Sequence, residues 1–169
     1  MIFKDRIIKS SVLKDLLILS IFAIIVLFFF RSLRVIGESM EPTLVDGQRG
    51  IVLLNRFNYY IPKRDDLVVV KKDSYSDKLL IKRVIGLPGD EIEIKDNMLY
   101  INKTLIIENY VKEKMNTQDL SVTLDEGEYF ILGDNRNNSA DSRLPLIGKI
   151  KYSEIIGKLI FDLRKFSLV

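Results

Sequence analysis

Ser39, in the segment Gly37-Glu38-Ser39-Met40-Glu41-Pro42-Thr43-Leu44, and Lys82, in the segment LLIKRVIGLPGD at residues 79–90, are of types that together can carry out acyl transfer. The chain has no histidine and no cysteine. Their absence removes the commonest general base, the commonest metal ligand, a thiol nucleophile and any thiolate metal site. Acid–base chemistry is left to Lys, Asp, Glu or Tyr, and a serine hydroxyl served by a lysine base is a known variant of the triad logic. A lysine can take a proton at neutral pH only where its charged form is disfavoured; desolvation can lower its pKa from about 10.4 to roughly 5–6. A third segment, residues 132–143 (LGDNRNNSADSR), is dense in Asx and Ser side chains that can bond their own backbone and hold a fixed shape.

Each segment alone has a plainer reading. A serine ahead of Met-Glu-Pro is most often a turn or cap residue. Lys82 and Arg83 interrupt an apolar run, and in a strand their side chains point to opposite faces; on this segment alone they read as cations protecting an exposed sheet edge. Residues 132–143 read as a long polar turn, or through Asp134, Asn135, Asn137 and Asp141 as a calcium loop. The spacing, however, lacks the glycine and terminal glutamate of an EF-hand. It is the occurrence of all three segments in one chain without His or Cys that turns the balance to a Ser–Lys pair.

The elements that must position these residues fall into two parts. Leu16 to Phe30 (LLILSIFAIIVLFFF) is a 15-residue run without a charge, bounded by Lys14 and Asp15 before it and Arg31 after it. It is short for a membrane span of roughly 20 residues, but flanking Lys and Arg can extend it by snorkelling. A cleaved secretory signal is the rival reading, but Arg31, Ser32, Leu33 and Arg34 offer no small-x-small cleavage pattern. A buried core helix would have to hide the whole run in a small domain. Four basic residues precede the run (Lys4, Arg6, Lys9, Lys14) and two follow it (Arg31, Arg34), so the positive-inside rule predicts a cytoplasmic N-terminus. Beyond Arg34 there are 20 basic and 21 acidic residues, which gives no support to nucleic-acid binding.

After the anchor, apolar residues come in short runs separated by turn residues, the pattern of strands. Strands are expected at 50–55, 66–71, 78–85, 91–95, 98–101, 103–107, 128–132 and 149–150, with Asp96-Asn97 as a tight hairpin turn. Residues 153–161 fit either a last strand or a short helix. The expected fold class is mainly β: an antiparallel sheet or barrel-like catalytic domain behind one N-terminal transmembrane helix. This divides the chain into a cytoplasmic segment (1–15), an anchor with its juxtamembrane segment (16–34) and an extracytoplasmic β-rich catalytic domain (35–169).

SMEPTL at Ser39 to Leu44, KRVIGLPGD at Lys82 to Asp90 and GDNRNNSADSR at Gly133 to Arg143 resemble the boxes of the type I signal peptidases, in family order after a single N-terminal span. GIVLLNRF and RDDLVVVK resemble the intervening strands, so the resemblance covers nearly all of residues 35–160. It implies an endopeptidase, without cofactor or metal, that removes signal peptides from translocated pre-proteins after a small-x-small sequence. Ser39 would be the nucleophile and Lys82 the base, working through an acyl-enzyme. Ser139 matches a serine that hydrogen-bonds and orients the lysine, Asp141 and Arg143 a pair that shapes the site, and Arg83 and Met40 supporting positions. The resemblance implies pre-proteins and membrane lipid as partners.

Two features depart from the family or narrow it. Some relatives carry a serine two residues before the nucleophile as a second oxyanion donor, where this chain has Gly37. Only 42 residues separate Asp90 from Gly133, as in the compact Gram-positive form. A self-cleaving repressor-type protein shares the dyad but needs a DNA-binding or polymerase-related segment where this chain has its apolar run. A catalytically silent β-rich binding protein would have no need of Ser39, Lys82 and Ser139 together.

Overall fold

A computed structural model describes residues 2–162. The chain opens with helix α1 (Ile2–Phe29), followed by strands β1 (Phe30–Arg34), β2 (Arg49–Leu54), β3 (Leu67–Lys71), β4 (Leu79–Gly86), β5 (Glu91–Lys95), β6 (Met98–Ile101), β7 (Thr104–Leu105), β8 (Leu120–Thr123), β9 (Glu128–Leu132), β10 (Ile150–Lys151) and β11 (Ile155–Asp162). Single turns of 3-10 helix at Arg56–Asn58 and Tyr152–Glu154 punctuate the path. The window Val12–Phe29 has a mean hydropathy of 2.6, and none of it is buried against the rest of the protein. At 1.5 Å rise per residue this window is about 27 Å long, close to the hydrocarbon thickness of a bilayer. The helix extends N-terminally past Asp15 and Lys14, which supplies the length the 15-residue run lacks.

The strands form two antiparallel sheets. The larger has the order β1-β2-β11-β3-β4-β9-β10 and stays open, with β1 and β10 as its edges; the smaller has the order β7-β6-β5-β8. Alternation explains the smaller sheet: in Glu91-Ile92-Glu93-Ile94-Lys95 the two isoleucines are fully buried while the glutamates and the lysine face outward or lie part-exposed. Asp96 and Asn97 both have positive φ, as a tight I′-like hairpin turn needs. Asn102 and Lys103 repeat that conformation between β6 and β7, so the strand expected at 103–107 shrinks to Thr104–Leu105.

Two strands were not anticipated. β1 occupies residues 30–34, the stretch assigned to the juxtamembrane segment, and pairs with β2 along its whole length, from Phe30 opposite Leu53 to Arg34 opposite Arg49. β8 pairs with β5. The 153–161 ambiguity resolves as a 3-10 turn followed by β11, which is the link between β2 and β3. The reading of Lys82 and Arg83 as solvent-facing edge cations is overturned, because both side chains are buried and Arg83 is paired on both sides, with β3 and with β9. The core forms three clusters, around Ile92, Ile94 and Phe130, around Val68, Val84 and Ile131, and around Met40, Val52 and Val69.

Candidate active site

The turn carrying Ser39 is tied down from several sides. Glu41 N–H donates to Glu38 O and Leu44 N–H to Met40 O, closing the turn. The Met40 side chain is only 1 % exposed and packs with Val35, Leu44, Val52, Val69 and Leu159. It fixes the residue beside the serine to the core. From β4, Lys82 is carried opposite Val68 of β3 and brings Nζ to 2.6 Å from Ser39 Oγ and 3.0 Å from the carbonyl oxygen of Ile81. Burial pushes the Lys82 ammonium down to about 8, against the opposing pull of Asp141 and Asp134. A lysine of that kind is substantially neutral at mildly alkaline pH and can take the hydroxyl proton.

Both carboxylates that would keep Lys82 charged are claimed by arginines. Arg83, on the opposite face of β4, reaches Asp134 with Nε at 2.8 Å and a terminal nitrogen at 2.6 Å, and Asp134 also accepts from Thr43 Oγ1 at 2.5 Å. Burial opposes the charge of Arg83, but its hydrogen bonds to Asp134 hold its pKa above the usual value. Arg143 grips Asp141 with Nε at 2.8 Å and a terminal nitrogen at 2.9 Å, and Asp141 accepts from Gly133 N–H at 3.1 Å. The calcium-loop reading fails on these partners: Asp134 and Asp141 are ion-paired to arginine, and no group of three or more acidic residues suited to a metal occurs among the described residues.

The polar loop also holds the serine. Asn135 N–H donates to Ser39 O at 3.1 Å, and its side-chain amide donates to Glu38 O at 3.2 Å. Gly133 is required here, because a Cβ on it would lie 2.4 Å from Ser39 O and 2.2 Å from Ser139 Oγ. Ser139 differs from its expected role in this conformation: its hydroxyl is buried without a hydrogen-bond partner, while Lys82 Nζ is taken up by Ser39 and Ile81. The backbone N–H of Ser39 makes no hydrogen bond among the described residues and is free to meet an oxyanion. Gly37, at φ +89°, donates its N–H to Asp46 at 2.7 Å and offers no side-chain donor.

A cleft of about 790 Å³ opens over the pair, walled by Leu33–Ile36 at the end of the edge strand β1 and by Leu79–Ile81 at the start of β4. The β4–β9 ladder begins only at Arg83, so β4 is unpaired on that side from Leu79 to Lys82. Two open strand edges therefore border one groove, a setting that accepts an extended peptide by backbone pairing. Sequence reasoning missed Thr43 and did not connect Asp134 with Arg83. Both lie inside segments already singled out, but the ion pair spans residues 83 and 134, a separation no local pattern reports.

Residues 8–163 match the signal peptidase family, peptidase S26. The chain is 37% identical over 166 residues to signal peptidase I U of Bacillus subtilis (strain 168), spanning 88% of this chain and 87% of that one. It is 35% identical over 149 residues to signal peptidase IB of Staphylococcus aureus (strain N315), spanning 78% and 76%. The crystal structure of a signal peptidase I from Enterococcus faecalis V583 superposes with a TM-score of 0.51 at 34% identity, covering 60% of this chain and 98% of that one. With a family match over residues 8–163 and relatives 34–37% identical, this chain belongs to the signal peptidase family S26 and is a membrane-anchored serine endopeptidase of that family.

Proposed function

We propose that the protein removes signal peptides from pre-proteins at the outer face of the membrane, with Ser39 as nucleophile and Lys82 as base. The observation that carries this reading is the 2.6 Å approach of a buried lysine nitrogen to a serine hydroxyl at the floor of a peptide-sized cleft. The substrate backbone lies extended between the edges of β1 and β4 and brings its scissile carbonyl over Ser39. As Oγ attacks, its proton passes to neutral Lys82, and the oxygen that becomes negative meets the Ser39 N–H. The Lys82 ammonium then protonates the departing amine. The regenerated neutral lysine draws a proton from water, which releases the signal peptide from the acyl-enzyme. Met40 and the Arg83–Asp134 and Asp141–Arg143 pairs are supporting groups, and Ser139 is assigned the role of orienting Lys82 during turnover.

In this reading the N-terminal end of α1 lies on the cytoplasmic side, its window Val12–Phe29 crosses the bilayer, and the β-rich unit from Phe30 onward works outside. Lipid is a second partner. Arg56 Nε donates to the helix-end carbonyl of Phe28 at 2.7 Å, and Phe57, Tyr59 and Ile61 stand exposed beside it. Their contact with the outer leaflet would fix the height of the cleft above the membrane.

The deciding test incubates the purified full-length chain with a pre-protein bearing Ala-x-Ala and reads the cut by mass spectrometry. Ser39→Ala and Lys82→Ala are each expected to abolish cleavage with the fold retained, and Lys82→Arg to fail as well, because a guanidinium cannot become neutral. Full turnover by any of the three would sink the dyad.

A further inference from the structure

Residues 106–119, between β7 and β8, form neither strand nor helix. A segment of this length without structure of its own is uncommon in a compact domain unless it has a task. This one is pinned as a strap. Met115 is buried in the core beneath the smaller sheet. Glu108 pairs with both terminal nitrogens of Arg136, at 2.5 and 2.8 Å, and both side chains are almost wholly buried. Arg136 Nε donates to Gly133 O at 3.0 Å, and Lys112 N–H donates to Asp134 O at 3.1 Å. Between these ties sits Tyr110. Its hydroxyl donates to Glu108 at 2.5 Å, and its ring lies 3.8 Å from the guanidinium carbon of Arg83.

We propose that Tyr110 is a positioning residue for the Ser39–Lys82 reaction: its ring caps the Arg83 guanidinium and holds it on Asp134 and Thr43, so that Asp134 is kept from stabilising a charged Lys82. The inference rests on the dyad reading. An aromatic face attracts a desolvated guanidinium without offering it a competing acceptor. Asp134 accepts two hydrogen bonds from Arg83 and one from Thr43. The charged groups that bear on Lys82 are Asp141 and Asp134, each bound by its own arginine. Its β3 neighbour Val68 is apolar. Burial and the neighbouring Glu108 push the Tyr110 phenol well above its usual range, so it remains a donor to Glu108 throughout the working pH range. Without the ring, solvent reaches Arg83, its grip on Asp134 loosens, and the freed carboxylate favours the ammonium form of Lys82.

The test measures kcat and KM of the full-length chain from about pH 6 to about pH 10. In Tyr110→Leu the acidic limb of the profile is expected to move to higher pH by about one unit. That lowers kcat about tenfold below the limb, in proportion to the neutral lysine lost, with KM nearly unchanged. Tyr110→Met, which fills the space without a π-face, carries the same expectation if the leucine variant does not fold. Tyr110→Phe keeps the ring and is expected to keep the limb in the wild-type position, although it loses the bond to Glu108. A strap with only a structural role would lower the melting temperature and leave the limb where it was, and that result would overturn the proposal. So would a phenylalanine variant shifted as far as leucine. Turnover surviving in Ser39→Ala would remove the dyad itself, whereas an unmoved limb in Tyr110→Leu beside an inactive Ser39→Ala removes only the role of Tyr110.

Discussion

Lys82 is held folded at a cost, and the sign of that cost can be measured. Burial lowers its pKa from 10.5 to about 8. Between those values the unfolded chain keeps the proton and the folded chain has released it, so stability rises with pH across that window. Below the folded value both states are charged and the full penalty stands, about 3 kcal/mol at neutral pH. Lys82→Met is therefore expected to be inactive and more stable than the wild type near neutral pH, with the difference shrinking as pH approaches the unfolded value of the lysine. Urea unfolding of both proteins at a neutral and an alkaline pH checks this. A constant difference would show that Lys82 is not desolvated. With Lys82 as the proposed base, kcat/KM should fall about tenfold per pH unit on the acid side of a limb near 8.

At the scale of elements, the contact between the polar loop and the Ser39 turn is close enough to be broken by one methyl group. An alanine at Gly133 would set its Cβ 2.4 Å from Ser39 O and 2.7 Å from Ser139 Cβ, so the two segments must part. Gly133→Ala is expected to lose about a hundredfold or more in kcat, since a displacement near 1 Å can cost that much, while circular dichroism still reports an intact sheet. Gly127→Ala makes the comparison: it strains a positive φ but meets nothing within 4 Å, and should lower stability without touching kcat. Most strands were legible because alternation such as Glu91 to Lys95 and turn pairs such as Asp96-Asn97 are local signals. β1 was not, because Phe-Arg-Ser-Leu-Arg follows directly on the anchor's apolar run and its strand character comes from β2, whose Arg49 pairs with Arg34 from fifteen residues further on. β8 was missed because Leu120-Ser-Val-Thr is short and has no glycine or proline to mark it off. The residues of the site were legible as types, but the burial of Lys82 and Arg83 was not: it depends on the Ser39 turn packing against Lys82 and on Asp134 reaching Arg83 from fifty-one residues away.

For the molecule as a whole, the junction of helix and sheet decides where the cleft sits. α1 runs into β1 without a loop, and β1 forms one side of the cleft, so the membrane surface and the groove are set by one continuous piece of chain. The turn after β2 locks onto the same junction: Phe57 lies with its ring centroid 6.0 Å from that of Phe28, Tyr59 6.0 Å from Phe29, and Arg56 stacks 4.3 Å over the Phe28 ring. Arg56 also caps a carbonyl left open at the helix end. Phe57 is 81% exposed and Ile61 71% exposed, apolar surface that water disfavours and the adjoining membrane leaflet would cover. The chain contains no tryptophan, so a single Phe57→Trp substitution reports on that one position without background. In proteoliposomes its emission is expected to be blue-shifted and quenched by lipids brominated on their acyl chains. An Ile107→Trp variant, on the strap that crosses the smaller sheet, should emit as in water and escape quenching. Equal emission from the two would mean that the turn stands clear of the bilayer, and the height of the cleft would then depend on α1 and β1 alone.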